Sequence, residues 1–288
     1  MLTESAFAKV NLGLAVTARR GDGFHELDTI FARLNLADEL HGEATGNGFT
    51  LELQAEPGLP GAAELNAGDN LVLRAARDFA AATGAGGARF RLVKRIPVAA
   101  GLGGGSADAA AALRLLARLY PREAAAVDLM ALARNLGSDV PFMLLDVPAA
   151  RGRGRGERLE PLELPQRQLV LANPLVPVAA ADAYAWLQNF SRRQPAERIV
   201  QALQQHGEPR WQNALQAGVT REVPQMREVI GELRAEGLQG VLMSGSGSTA
   251  FGLAQDRDAA EKAAAALRAR RPDWWVAADG IGSQPARS

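Results

Sequence analysis

The sequence predicts an α+β protein of two domains, and three observations carry that expectation. At 288 residues the chain exceeds one ordinary domain and suits two. Residues 5–16, SAFAKVNLGLAV, alternate with a period of two, the pattern of a strand. Strand-like and helix-like stretches are then mixed to the end, with glycine-rich turns at 101–105 and 244–248. The expected division is 1–160 and 161–280, with a frayed tail at 281–288.

Along 5–16, Ala6, Ala8, Val10, Leu12, Leu14 and Val16 share one face; Phe7, Lys9, Asn11 and Gly13 share the other. Lys9 and Asn11 therefore project together. Only three of the 32 basic residues are lysines: Lys9, Lys94 and Lys262. A chain that uses arginine for plain positive charge has a compact ammonium at position 9. A solvated edge-strand lysine has the same spacing, so both readings stand. Gly21, Asp22 and Gly23 form a hairpin turn, with Phe24 and His25 just beyond it. These two fit ordinary packing, or a stacking face plus a hydrogen-bonding ring for a base. Strands are expected over 29–36, and over 38–43 with 49–53 as a further ribbon. A helix capped by Asp69 or Asn70 runs to about Thr83, and 89–95 is the next strand.

The stretch that follows is Pro97, Val98, Ala99, Ala100, Gly101, Leu102, Gly103, Gly104, Gly105, Ser106 and Ala107. It lies between that strand and an alanine- and leucine-rich helix reaching Tyr120. Glycine admits φ > 0 and lets backbone N–H groups approach a ligand. A helix begun at 106–108 would aim its unpaired N–H groups and positive dipole end at the loop. The combination is a polyphosphate cradle. A side chain at Gly104 is expected both to block φ > 0 and to fill the space of the phosphates. A Walker A ending, Gly-Lys-Ser/Thr, is absent, and so is a G-x-G-x-x-G register.

Pro121 breaks the chain, and 127–136 reads as a short helix closed by Gly137. Asp139 follows, in Ser138-Asp139-Val140-Pro141-Phe142. It reads as an N-cap or turn residue, or as a carboxylate placed to accept a hydroxyl proton. The run 151–158, RGRGRGER, looks like an arginine–glycine nucleic-acid segment, but one short copy in a neutral chain fits a loop and strand near the domain junction better. Next come a strand over 169–177, a helix over 179–190 carrying Tyr184, and a polar helix over 194–216. An amphipathic helix over 224–236 precedes strands at 239–243 and 250–254, which flank Ser-Gly-Ser-Gly-Ser-Thr. A helix over 259–270 and a strand over 274–278 close the chain.

Zero net charge gives no bulk field toward nucleic acid or an anionic membrane. Absence of cysteine excludes disulfides, iron–sulfur clusters and thiolate zinc sites. Three histidines argue against a multi-histidine metal site. With no signal-like N-terminus and no apolar run of membrane-spanning length, a soluble cytoplasmic protein is expected.

Three motifs stand in order: A-K-V-N-L-G-L at 8–14, P-x-x-x-G-L-G-G-G-S-x-D-A-A at 97–110 and M-S-G-S-G-S at 243–248. The set resembles the GHMP kinases, small-molecule ATP kinases, over about residues 5 to 254. D-G-F-H-E-L at 22–27 and L-G-S-D-V-P-F at 136–142 look like one branch, whose members phosphorylate a diphosphocytidyl alcohol in non-mevalonate isoprenoid biosynthesis. The resemblance implies an N-terminal domain related to ribosomal protein S5 domain 2, a ferredoxin-like C-terminal domain and a site in the cleft between them. It implies ATP, with Mg2+, as donor to the substrate's tertiary 2-hydroxyl. By position Lys9 and Asp139 are the catalytic pair: Asp139 accepts or orients the hydroxyl proton, and Lys9 keeps Asp139 ionised and neutralises developing charge. Residues 97–107 cradle the phosphates. Asn11, Phe24, His25 and Tyr184 bind the substrate, with cytosine between Phe24 and Tyr184. The resemblance assigns no protein ligand to the metal and no oligomeric state.

The sequence also departs from the family pattern. Ala107 stands where a second serine is usual, Ala179 and Ala180 where Pro-Thr is usual, and 213–215 reads N-A-L where the middle residue is usually acidic. Two rival readings are another GHMP kinase and a non-catalytic nucleotide- or RNA-binding protein on an S5-like fold. The D-G-F-H element argues against the first, and retention of both Lys9 and Asp139 against the second.

Overall fold

The computed structural model describes residues 1–62, 68, 70–192, 196–207 and 211–282, and in it two β-sheets meet edge to edge. β1 (Leu2–Arg19) and β2 (His25–Thr45) are long antiparallel strands joined by the glycine turn at 21–23. β2 is continuous across the break expected near residue 37. β3 (Phe49–Ala55), α1 (Leu71–Thr83) and β4 (Gly87–Lys94) form a crossover, in which β4 runs parallel to β3 and inserts between it and β2. The ribbon expected between 38–43 and 49–53 therefore does not form. Asn70 caps α1, its side chain accepting from the Val72 N–H at 2.9 Å; Asp69, the other candidate cap, lies outside the described residues.

α2 (Gly104–Leu119) starts two residues earlier than the sequence suggested. Its run of buried alanines lets it lie close to α1 and the sheet, burying Leu113, Leu115 and Leu116 in one core with Phe79 and Phe90. α3 (Pro121–Ala124), α4 (Leu129–Leu136, capped by Asp128) and α5 (Val140–Leu144) follow. The arginine–glycine run is the hairpin of β5 (Ala149–Gly154) and β6 (Arg158–Pro161), and three of its four arginines are paired: Arg151 with Asp28, Arg153 with Glu160, Arg158 with Glu26. β5 lies along the N-terminal half of β2 and β4 along the C-terminal half, which is why β2 has no interruption.

The second sheet comes from β7 (Arg167–Asn173), α6 (Ala180–Ala185), α7 (Ala196–Gln204), α8 (Gln216–Glu222), α9 (Pro224–Ala235), β8 (Gln239–Met243), β9 (Ala250–Ala254), α10 (Arg257–Arg270) and β10 (Trp275–Ile281). Its strands are antiparallel in the order β10-β7-β9-β8, the ferredoxin-like arrangement. β7 ends at Asn173 rather than 177, because Pro174 cannot donate to a ladder and Leu175 sits at φ 60.

Two helices expected here are cut short by the free edge of β1. α6 ends at Ala185, and the chain turns so that the Ser191 N–H reaches the Val16 carbonyl at 2.8 Å. The helix expected over 194–216 is replaced by α7 and α8; the segment between them pairs with Leu14, whose N–H donates to the Gln212 carbonyl (2.9 Å) and whose carbonyl accepts from the Ala214 N–H (2.8 Å). Residues 193–195 and 208–210 lie outside the described set. The sheets join at Leu34 and Ile281, where the Asp279 carboxylate accepts from the Leu36 N–H at 2.9 Å. Gly280 and Ile281, expected to fray, are thus strand residues, while 283–288 lie outside the described residues. Among the described residues no helix is long and apolar enough to cross a membrane.

Candidate active site

A cleft of about 1050 Å³ lies where β1, the glycine loop, α5, α6 and the 244–249 loop converge. Its volume stands at the upper end of the range of small-molecule sites. Lys9 and Asn11 project from β1 into it, as the period-two reading requires. Lys9 is 4% exposed, so it is no solvated edge lysine. Its ammonium donates to Asn11 Oδ1 at 2.7 Å and to the Gly101 carbonyl at 3.1 Å, and lies 3.4 Å from Asp139 Oδ2. Asn11 is itself fixed, its Nδ2 donating to Thr29 Oγ1 at 2.9 Å while the Thr29 hydroxyl donates to the Gly13 carbonyl at 2.7 Å.

Asp139 occupies the N-cap position of α5 but makes no side-chain capping bond. Its carboxylate turns to Lys9 instead and is about one-third exposed to the cleft. The fold holds it there through Phe142, which stacks on Phe31 with centroids 4.9 Å apart; Phe31 in turn lies beneath Lys9, 5.9 Å from the ammonium.

Gly101 and Gly103 have φ of +76 and +73, and Ala99 enters the loop at φ 53. At Gly101 an added Cβ would stand 2.7 Å from the carbonyl oxygens of Ser244 and Gly247. The two small-residue loops are thus in direct contact: the Ser244 hydroxyl donates to the Gly101 carbonyl (3.2 Å) and accepts from the Asn11 N–H (3.3 Å), and the Thr249 N–H donates to the Ala100 carbonyl (3.2 Å). Asn213 holds the second loop, its amide donating to the carbonyls of Met243 and Gly245. Gly104 differs from the expectation. It lies in the first turn of α2 without positive φ, and a Cβ there would meet Ile96 Cγ2 at 3.1 Å and Lys94 Nζ at 3.3 Å, not a ligand space. The first α2 bond runs from the Ala107 N–H to the Gly103 carbonyl, which leaves the N–H groups of Gly104, Gly105 and Ser106 without a partner inside the helix. Gly101, Gly103 and Ser106 line the cleft, whereas Ala100, Leu102 and Ala107 are buried in the cores.

Beneath the loop is a cluster that the sequence reading missed. Lys94 donates to Asp38 and, at 2.7 Å, to Asp108 Oδ2; Asp38 also accepts the backbone N–H groups of Arg95 and Ile96. All three side chains are buried. Burial pushes the Asp108 carboxyl up to about 8, with Lys94 opposing and Asp38 adding to the rise. The Lys94 ammonium is held above its ordinary value, since the two aspartates outweigh burial.

At the other end of the cleft stand Phe24, His25 and Tyr184. Phe24 is exposed and the Arg155 guanidinium covers its ring at 4.6 Å. Tyr184 stacks on His25 with centroids 4.8 Å apart. The expected facing pair of Phe24 and Tyr184 is therefore not open in this state, because each ring already has a partner. Burial, then Arg19, holds His25 below its ordinary value, which favours a neutral ring that both donates and accepts. Burial, then Asp139, pushes the Tyr184 phenol up. Ala179 begins α6 with no side-chain cap, the local consequence of a missing hydroxyl there.

An ammonium–carboxylate pair beside unpaired backbone amides, in a cleft between an α+β domain and a ferredoxin-like sheet, is the arrangement that the resemblance to GHMP kinases implies. The family "GHMP kinases N terminal domain" matches residues 70–150 and "GHMP kinases C terminal" matches 187–273. A 4-diphosphocytidyl-2-C-methyl-D-erythritol kinase of Thermus thermophilus is 47% identical over 284 residues, spanning 97% of this chain and 98% of the relative. One from Deinococcus radiodurans is 48% identical over 278 residues, spanning 94% and 90%. The crystal structure of a 4-(cytidine 5'-diphospho)-2C-methyl-D-erythritol kinase superposes with a TM-score of 0.85 at 46% identity, covering 98% of this chain and all of that one. Within the GHMP kinases, the chain belongs to the 4-diphosphocytidyl-2-C-methyl-D-erythritol kinase family.

Proposed function

We propose that the protein transfers the γ-phosphoryl group of ATP to the 2-hydroxyl of 4-diphosphocytidyl-2-C-methyl-D-erythritol, releasing ADP and the 2-phosphate, in the cytoplasm. The observation that supports this most is Asp139, which declines the capping role its position offers and faces Lys9 at 3.4 Å on the wall of the cleft. In this reading the carboxylate receives the hydroxyl proton as the alcohol oxygen attacks phosphorus. The Lys9 ammonium, held by Asn11 and the Gly101 carbonyl, stays in line with both the carboxylate and the phosphate loop and offsets charge on the transferring group. Backbone N–H groups of 103–106 and the positive end of α2 hold the phosphates. His25, held neutral, reads the polar edge of cytosine beside the rings of Phe24 and Tyr184.

Mg2+ fits this wall as a passenger of the nucleotide. Among the described residues no group of three or more acidic or histidine side chains could hold a metal alone, and Mg2+ is commonly held by phosphates, water and one or two carboxylates. When bound it would neutralise phosphate charge, and Asp139 and the Ser106 hydroxyl on the cleft wall would be available to hold it. We take the domain division to fall between Pro161 and Arg167, where the first sheet ends and the second begins.

The test is direct. Incubation with ATP and the diphosphocytidyl alcohol should give one new phosphomonoester on the tertiary carbon by phosphorus NMR, with stoichiometric ADP. ATP turnover with homoserine or mevalonate, and none with the cytidyl alcohol, would overturn the reading.

A further inference from the structure

Six arginines cluster on the hairpin arms that wall the cytidyl end of the cleft: Arg19 and Arg20 on β1 and its turn, and Arg151, Arg153, Arg155 and Arg158 on the β5–β6 hairpin. Four are neutralised. Arg20 pairs with Asp22 and Glu26, Arg151 with Asp28, Arg153 with Glu160 and Arg158 with Glu26. Arg19 and Arg155 are the exceptions: among the described residues neither side chain has a hydrogen bond or ion pair, and both line the cleft. Arg155 lies over the ring of Phe24, and Arg19 is the register partner of His25 and close enough to depress its basicity. Among the described residues Asp139, at the far end, is the only carboxylate on the cleft lining. Asp22 is close enough to feel the charge of Arg155, but it is bonded to Arg20 and lies off the cleft lining, so both guanidinium groups keep their donors open toward a shared space. Arginine matches phosphate oxygens with a planar fork.

We infer that Arg19 and Arg155 bind the diphosphate bridge of the substrate and set the enzyme's preference for a nucleoside-diphosphate-linked alcohol over an uncharged one. The inference rests on the cytidyl reading of this end of the cleft. It accounts for the placement: the bridge is bonded to the nucleoside, so its cations must adjoin the base rings, as Arg19 does at His25 and Arg155 at Phe24. These residues touch the substrate away from the reacting atoms, so their loss weakens binding rather than chemistry.

The experiment measures calorimetric affinities for CDP and for cytidine, and KM for ATP and for the cytidyl alcohol, in the wild type, Arg19→Gln, Arg155→Gln and the double variant. Each substitution should lower the CDP-to-cytidine affinity ratio about tenfold, the usual worth of a charge-assisted phosphate contact. KM for the cytidyl alcohol should rise in step while KM for ATP stays within twofold. The fall of CDP affinity with added salt should be shallower in the double variant. An unchanged ratio in the double variant overturns the inference and leaves the kinase reading standing. If cytidine and CDP both fail to bind the wild type, the cytidyl reading is at fault. Inorganic pyrophosphate, titrated with ADP saturating, then decides the arginines: equal affinity in wild type and double variant overturns the inference, and a loss of tenfold or more supports it.

Discussion

Lys9 and Lys94 are two buried ammonium groups on strands that flank β2, and they are managed in opposite ways. Lys94 is fully neutralised, gripped by Asp38 and Asp108 with no contact to the cleft. Lys9 is under-neutralised: its close partners are an amide oxygen and a carbonyl, and its carboxylate stands off at 3.4 Å and faces solvent. A saturated cation is a structural fastening, here between the end of β4 and the first turns of α2. An unsaturated one, walled by a cavity, keeps attraction in reserve for a ligand's charge. Chemistry and support thus occupy the two sides of one glycine loop.

The comparison breaks most visibly under substitution at Lys9. Lys9→Ala should cut turnover by about 10²–10⁴-fold with the thermal midpoint little changed, and Lys9→Arg should not restore it, because a planar fork cannot occupy the pocket between Asn11, Gly101 and Asp139. Steady-state assay of both variants checks this; a fully active Lys9→Arg would remove the distinction drawn here. Lys94→Met should do the reverse. It leaves Asp38 and Asp108 buried without a cation, at a cost of about 3–5 kcal/mol in urea denaturation. Soluble protein that survives should keep turnover within severalfold when the assay is run well below its midpoint.

Smaller effects sharpen the contrast. Gly101→Ala should cost about 1–2 kcal/mol or more for its left-handed backbone, compounded by the two carbonyl oxygens its Cβ would strike, and should weaken binding of a non-hydrolysable ATP analogue. Asp108 gives the mildest signal. Its carboxyl is raised from 3.8 to about 8, so between those values the native state holds a proton that the unfolded chain has released, and stability falls as pH rises across that window. Asp108→Asn removes that proton exchange. Chemical denaturation at pH 5, 7 and 9 should show the variant gaining on the wild type as pH rises; a constant difference would mean that Asp108 is ionised throughout.

The parts of this arrangement that were legible in the sequence are those carried by local signals. Period two placed Lys9 and Asn11 on one face, the scarcity of lysine marked Lys9, and the glycines marked the loop. The same scarcity pointed to Lys94, but its partners lie 56 residues before it and 14 after it, and no local pattern joins them. Thr29 and Ser244, which brace Asn11, lie 18 and 233 residues from it in sequence. The helices expected over 179–190 and 194–216 failed for a related reason. Their local composition favours helix, but Ser191, Gln212 and Ala214 satisfy the backbone edge of β1 instead, a competitor invisible to a local window. The stacking of Tyr184 on His25 is likewise a contact between domains that spacing does not encode.

The central claim is that Asp139 takes part in phosphoryl transfer and does not cap α5. Single-turnover transfer by Asp139→Asn, with ATP and the cytidyl alcohol both saturating and their affinities measured on the same preparation, tests it most directly. The amide keeps the shape and cannot accept the proton. The predicted result is a rate reduced by about 10²–10⁴-fold with both affinities within a few fold of wild type. A rate within threefold of wild type would contradict the claim and return Asp139 to the role of a helix cap.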